Sequence, residues 1–330
     1  MKHFIYFCYF IKITNWKKLR SHKAFIAEKE GLSKSFLTKD MVNCSLKYGL
    51  SFHEYYYYAL FNKPEDIRAS YASMGFMHEY QLVMNPKSTR DRFLNKFKFD
   101  ESFPEYLGRA IINPLTATED ELSAFIQGKE KVVMKLSTGA AGKTIHVVSL
   151  NGQNAQTLKS FAKNEGLDLM EEFVYQHEDM AKLAPKSLNT VRVITQLKND
   201  GTVDIIGSSI RMSIDKNTDN LSTGGITAKV NVDDGTIATD GVSFDITKPD
   251  YIVHPVSGVK IKGFQIPYWP EILVMVKKAA AKYDDNKSIG WDVAIKPEGP
   301  ILIEGNHDWG ARVWQMPAGE GMKYKLEKYL

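Results

Sequence analysis

The chain has 330 residues, 43% of them hydrophobic and 25% charged, with a formal net charge of +4. Those fractions exclude a disordered or fibrous chain and allow one large domain or two to three smaller ones around a sizeable core. The mild positive charge suits an anionic small molecule and argues against nucleic acid as a partner; two cysteines, Cys8 and Cys44, make neither a disulfide framework nor a metal cluster, which points to a reducing, cytoplasmic setting.

In chain order, "MKHFIYFCYFIKITNWKKLRSHK" starts with an aromatic run ending near Ile13 and then turns basic. The run is too short to span a bilayer, and no small-residue cleavage site marks it as a secretory signal. It is expected to be a first helix or strand packed into the domain. The alternative is peripheral contact of residues 1–23 with an anionic membrane. Residues up to about Asn85 read as mainly helical, and the tyrosine run in "CSLKYGLSFHEYYYYALF" as core. Thr118 followed by Glu119, Asp120 and Glu121 predicts a capped helix running to about Gly128. Then "KVVMKL" reads as a strand, "STGAAGKT" as a glycine-rich loop and "IHVVSL" as a strand, followed by a helix over about 154–164. From Asn189 onward strands dominate, interrupted by a helix at about 270–283. Strands mostly in hairpin order predict an α+β fold rather than a parallel doubly wound sheet. The boundaries expected are 1–86 for the helical region, 87–174 for a first lobe with the glycine-rich flap and 175–330 for a second lobe.

Two stretches carry chemistry. "IGWDVAIKPEGPILIEGN" has two alternating apolar runs around a Pro-Glu-Gly-Pro turn, the pattern of a β-hairpin. Side chains alternate faces along a strand, so Glu304 and Asn306 share one face, and an antiparallel register can set Asp292 opposite Glu304. Three oxygen ligands would then converge, a set suited to a hard cation such as magnesium. In "VVMKLSTGAAGKTIHVV", Gly139 and Gly142 let the backbone approach a ligand, with Lys135 and Lys143 offering ammonium groups to the same anion. The glycine spacing is wrong for a Walker loop, and the following segment is strand-like, so a hairpin flap over phosphates is expected, against an ordinary glycine hairpin with two surface lysines. Arg192 sits inside the apolar strand "TVRVIT", where an arginine needs an anionic partner, either a ligand or a protein carboxylate. Arg211 in "GSSIRMS" follows the same logic.

The order of these elements, with "YGLSFHEYYYY", "SLNTVRVIT", "DNLSTGGI", "HPVSG" and "GWDVAI…GPILIEGN", resembles the ATP-grasp superfamily, and within it the sugar-transfer-associated branch, from about Cys44 to Asn306. The resemblance implies two α+β lobes holding ATP between them. It implies an ATP lysine from the region before the flap, best matched by Lys96 with Lys87 and Lys98 as rivals, and a second at Lys135. It implies a flap over Ser137 to Lys143, an adenine-reading hinge at Glu171, Glu172 and Val174, and a ribose acid at Glu178. Glu171 and Glu172 could instead be a solvated acidic pair. Arg192 and Arg211 would contact the transferring phosphate. Asn220 would orient a substrate or metal-bound oxygen, or else make an Asx turn. Asp292, Glu304 and Asn306 would hold magnesium, usually two ions. His254, His307 and Arg312 are substrate candidates, with a His-Pro turn as the plainer reading of His254.

The resemblance further implies a carboxylate–amine ligase that works through an acyl-phosphate on small-molecule acid and amine substrates. Its name suggests a uronic acid, free, nucleotide-linked or lipid-linked, joined to an amino acid or amino alcohol in surface polysaccharide assembly. A kinase of a sugar or small alcohol and a non-catalytic nucleotide-binding partner of a glycosyltransferase are the competing readings.

Overall fold

A computed structural model describes residues 2–138, 145–215, 219, 221 and 224–330. Helices Lys2–Ile13, Trp16–Lys29, Lys34–Tyr48 and Phe52–Tyr57 form the N-terminal region around a core that includes Phe10, Leu37, Cys44, Phe52 and Tyr55. The predicted tyrosine run is core: Tyr55, Tyr56 and Tyr58 are buried. The helix Met74–Met84, grouped above with this region, packs instead on the larger sheet, in a cluster with Ile194, Ile206, Trp309 and Trp314.

Two antiparallel sheets follow. In the first lobe, β1 (Ile111–Ile112), β2 (Lys131–Lys135), β3 (His146–Ser149) and β4 (Leu169–Glu172) lie in the order β1-β4-β2-β3. Helices Glu119–Ile126 and Ala155–Glu165 share a core with it. Both begin where their caps dictate: Thr118 and Glu121 form a reciprocal capping box, and Asn154 caps the second, which ends at Gly166 in the left-handed region. In the second lobe, β5 (Thr190–Leu197), β6 (Val203–Met212), β7 (Ile226–Val230), β8 (Val242–Ser243), β9 (Ser288–Lys296) and β10 (Gly299–Asn306) lie in the order β10-β9-β5-β6-β7-β8.

β5 is buried along its whole length because both faces of the sheet are covered. Val191 and Val193 pack toward the helix Trp269–Ala281, while Ile194 meets Trp309 and Trp314 on the other side. Arg192 therefore shares the Ile194 face. Close packing there leaves no room at Gly290: a Cβ would stand 2.7 Å from Trp309 Cβ and 3.0 Å from Arg192 Cδ. Gly290→Ala is expected to lower stability by about 1–3 kcal/mol through overpacking. Urea unfolding of the variant measures this, and an unchanged midpoint would show that the sheet has slack at this point.

Candidate active site

The site is a cross-strand row. Register sets Glu304 of β10 opposite Asp292 of β9, Asp292 opposite Arg192 of β5, and Arg192 opposite Ser209 of β6. Directly opposed residues project from the same face of a sheet, so the two carboxylates and the guanidinium meet side by side. The hairpin expectation holds in its register but needs one addition. Leu302 faces Val293 while Glu304 faces Asp292, so Ile303 is an extra residue, a β-bulge. Without it, Ile303 would stand opposite Asp292 and the carboxylate would point the other way.

Asp292 is wholly buried. Arg192 grips it through Nε to Oδ1 and through Nη2 to Oδ2 at 2.9 Å, and Arg211 Nη2 donates to Oδ2 at 2.8 Å. Of the two partners left open for Arg192 by its sequence, the structure supplies the protein carboxylate. Burial raises the cost of charging Asp292, but the two guanidinium groups outweigh it and hold the carboxyl well below its usual range. Glu304 goes the other way: burial, and then the neighbouring Asp292, push its carboxyl up. Arg211 also donates to Thr190 Oγ1 at 2.7 Å and lies 3.6 Å from the half-buried Asp219.

Whether these residues fit a hard cation can be judged from their donors. Asn306 Nδ2 faces Asp292 at 3.5 Å and Glu304 at 3.4 Å, so a half-turn of the amide would present its oxygen instead. Two carboxylates forced together, one driven toward its neutral form, form a site that a divalent cation would relieve. Among the described residues no group of three His, Cys, Asp or Glu could hold a metal, the third donor here being an amide. Glu304 and Asn306 are the freer ligands, because Asp292 is shared with the two arginines. Glu304→Gln is accordingly expected to raise stability without magnesium by about 1 kcal/mol while losing activity. Thermal melting shows it; a loss of stability would mean that Glu304 makes a supporting contact instead.

A second charged cluster sits in the first lobe. Lys135, at the end of β2, donates to Glu171 at 2.6 Å, and Arg109 Nε donates to the other Glu171 oxygen at 3.0 Å. Burial opposes the charge on Glu171, yet these two cations lower its carboxyl to about 2. Glu171 is thus no solvated acid: its side chain locks Lys135. Glu172 is half-buried and accepts from the Ala110 N–H at 3.0 Å, with Lys129 at 3.1 Å. Val174 is buried with Ala294 and Ile301, with Leu188 and Ile303 packed against them, an apolar floor between the lobes. Glu178 is exposed at the start of the helix Glu178–Leu183, 3.5 Å from Lys182.

Of the three rival lysines, Lys96 is the one within reach of both clusters. Burial lowers its pKa, and Glu304, Lys135, Glu171 and Asp168 all act on its charge. Lys87 and Lys98 are exposed, Lys98 pairing with Asp91 at 2.7 Å. Ser137 anchors the flap base: its N–H and Oγ both donate to Asp168, at 2.7 and 2.5 Å. Gly139, Gly142, Lys143 and Asn220 lie outside the described residues.

The two histidine candidates are both buried against protein groups. His254 is wholly buried; Nε2 bonds the Ser213 carbonyl at 2.8 Å, and Nδ1 accepts from the N–H groups of Val256 and Ser257. It builds the turn, as its plainer reading had it. His307 is buried and stacks on Phe93. Arg312 is half-buried over the Phe244 ring, at the seam with the N-terminal region. Sequence reasoning missed Arg109, whose guanidinium also donates to the Leu302 and Ile303 carbonyls at 2.9 and 3.3 Å. The reasoning applied to Arg192, an arginine beside apolar residues, would have found it in "LGRAII". It also missed Asp100, buried 3.7 Å from Arg109 and pushed up to about 6 by that burial.

A family model described as sugar-transfer associated ATP-grasp matches residues 75–329. No curated protein matches the sequence. Among solved structures, the chain is similar to the ATP-grasp ligase PsnB in complex with a minimal precursor, at 9% identity and a TM-score of 0.46, covering 78% of this chain and 68% of that one. It is similar to D-alanine-D-alanine ligase from Coxiella burnetii, at 8% identity and a TM-score of 0.41, covering 72% of this chain and 57% of that one, less than two thirds of its length. It is also similar to D-cycloserine synthetase DcsG, at 9% identity and a TM-score of 0.44, covering 78% of each chain.

Proposed function

The chain belongs to the sugar-transfer associated ATP-grasp family, and on that premise we propose that it is an ADP-forming carboxylate–amine ligase. The observation that supports this reading is the row Glu304–Asp292–Arg192, with Arg211 beside it and Lys96 close enough to feel the charges of Glu304 and Lys135. Phosphoryl transfer needs little covalent help from a protein; it needs positioned cations around a dispersed negative charge. Lys96 and Lys135 would bind the phosphates. Arg192 and Arg211, oriented by Asp292, would face the transferring group. Magnesium held by Glu304, Asn306 and Asp292 would neutralise phosphate charge.

The substrate's carboxylate oxygen attacks the γ-phosphorus, the bond to the β-phosphate oxygen breaks, and ADP leaves with that electron pair. The acyl-phosphate is then attacked by an amine; phosphate leaves, the amine gives up a proton and an amide remains. We take the acid to be a sugar acid, such as a uronate, used in surface polysaccharide assembly; the support for this is the description of the family. The test is ADP release with panels of uronic acids and amines, offered singly and together, with product masses. A requirement for both, and a product of acid plus amine minus water, supports the ligase. ADP release with a sugar alcohol alone and a phosphorylated product would overturn it in favour of a kinase.

A further inference from the structure

The helix Lys2–Ile13 buries one side and leaves the opposite side apolar. Phe10 is 1% exposed and packs into the N-terminal core with Tyr6 and Phe7 against it. At 100° per residue, Phe4, Ile5, Cys8 and Lys12 line the opposite face, flanked by Tyr9 and Ile11. Phe4 and Ile5 are each 61% exposed, Tyr9 is 53% exposed, and Trp16 at the head of the next helix is 41% exposed. An outward face is usually the polar one. Here it is an apolar stripe roughly 12 Å long from Phe4 to Ile11, at 1.5 Å per residue.

The charge within the segment is one-sided; among the described residues Lys2 alone on this helix is paired, to Glu79 at 2.9 Å. Residues 1–23 hold six of the 43 lysines and arginines and none of the 39 acids, which leaves 37 against 39 for the rest of the chain. Lys12, Lys17 and Arg20 are exposed along or just after the stripe. Among the described residues no helix is long and apolar enough to cross a membrane. Apolar side chains beside unbalanced lysines fit a surface that is apolar at depth and anionic at its edge. A second copy fits poorly, because a two-fold interface would set the same basic patch against itself.

We propose that this helix docks the protein on an anionic lipid surface, lying in the interface with Phe4, Ile5, Tyr9 and Trp16 inserted. This holds whatever reaction the site catalyses, since it rests on different residues. The test is flotation of the full chain with vesicles of phosphatidylcholine, with and without phosphatidylserine. The chain is expected to float with the anionic vesicles and not with the neutral ones. Ile5→Glu with Tyr9→Glu is expected to abolish flotation at an unchanged melting temperature, both side chains being exposed. Lys17→Glu and Arg20→Glu are each expected to weaken binding by about five-fold or more. Two results would overturn the proposal. One is no flotation with either vesicle. The other is a dimer by light scattering that Ile5→Glu converts to monomer, which would assign the face to a second copy.

Discussion

Asp292→Ala is expected to abolish ATP turnover and to lower unfolding stability by about 3–5 kcal/mol. The stability loss is the less obvious half. Two guanidinium groups meet on this one carboxylate, and Arg192 is buried with it. Removing the anion takes from the buried Arg192 the carboxylate that grips it, while Arg211 keeps Asp219 at 3.6 Å, so the loss falls on Arg192, the situation in which breaking a buried ion pair matters most. A double variant separates the two effects. Replacing Arg192 and Asp292 together by Met removes one unpaired charge and its partner, so it should recover most of the stability and none of the activity. Urea unfolding and ADP release, read on both variants, make the cycle. If Asp292→Ala unfolded at the same urea concentration as the parent, the arginines would have another partner in solution and the clamp would not be the ground state.

Glu171→Gln is expected to lower stability at neutral pH, by an amount that vanishes in acid, and to lower ATP affinity. The Glu171 carboxyl is lowered from an ordinary 4.5 to about 2 by Lys135 and Arg109, against the effect of burial. A depressed carboxyl contributes stability that is present above its unfolded value and lost as the pH falls through its folded value. Its contribution, on the order of 3 kcal/mol, should therefore be full above about pH 4.5 and gone near pH 2. The parent-minus-variant difference in unfolding free energy should trace that decline across the same window. A flat difference would mean that the ion pair is not formed in solution. Glu171 also holds the Lys135 ammonium at 2.6 Å, so its loss should raise the KM for ATP by about ten-fold, the worth of a misplaced charged contact.

The hairpin was legible because alternation and a Pro-Glu-Gly-Pro turn specify register over many residues, and Arg192 because a charge inside an apolar strand demands a partner. The helix at Thr118 was legible from its cap. Ile303 was not, because one surplus residue in a strand leaves no periodic trace, and only the pairing with β9 exposes it. Arg109 and Glu171 were opaque in another way. They lie 62 positions apart and meet only when β1 pairs with β4. The helix Met74–Met84 reads as one more N-terminal helix until the tertiary packing assigns it to the larger sheet. His254 and His307 show the converse: each stands in a suggestive stretch, and each is consumed by backbone or ring packing.

The bulge at Ile303 ties distant parts of the molecule together. Its carbonyl, and that of Leu302, are held by the Arg109 guanidinium, which in turn grips Glu171 in the other sheet. The Ile303 side chain belongs to the apolar floor with Val174, and the next residue is Glu304. One guanidinium thus acts as the fulcrum between the two sheets, with Glu171 and Lys135 on one arm and the strand that carries Glu304 on the other. A tilt of one lobe about that point would shift both arms together. Under the proposed function, a nucleotide held at the first arm and a cation held at the second would then be coupled through this one side chain.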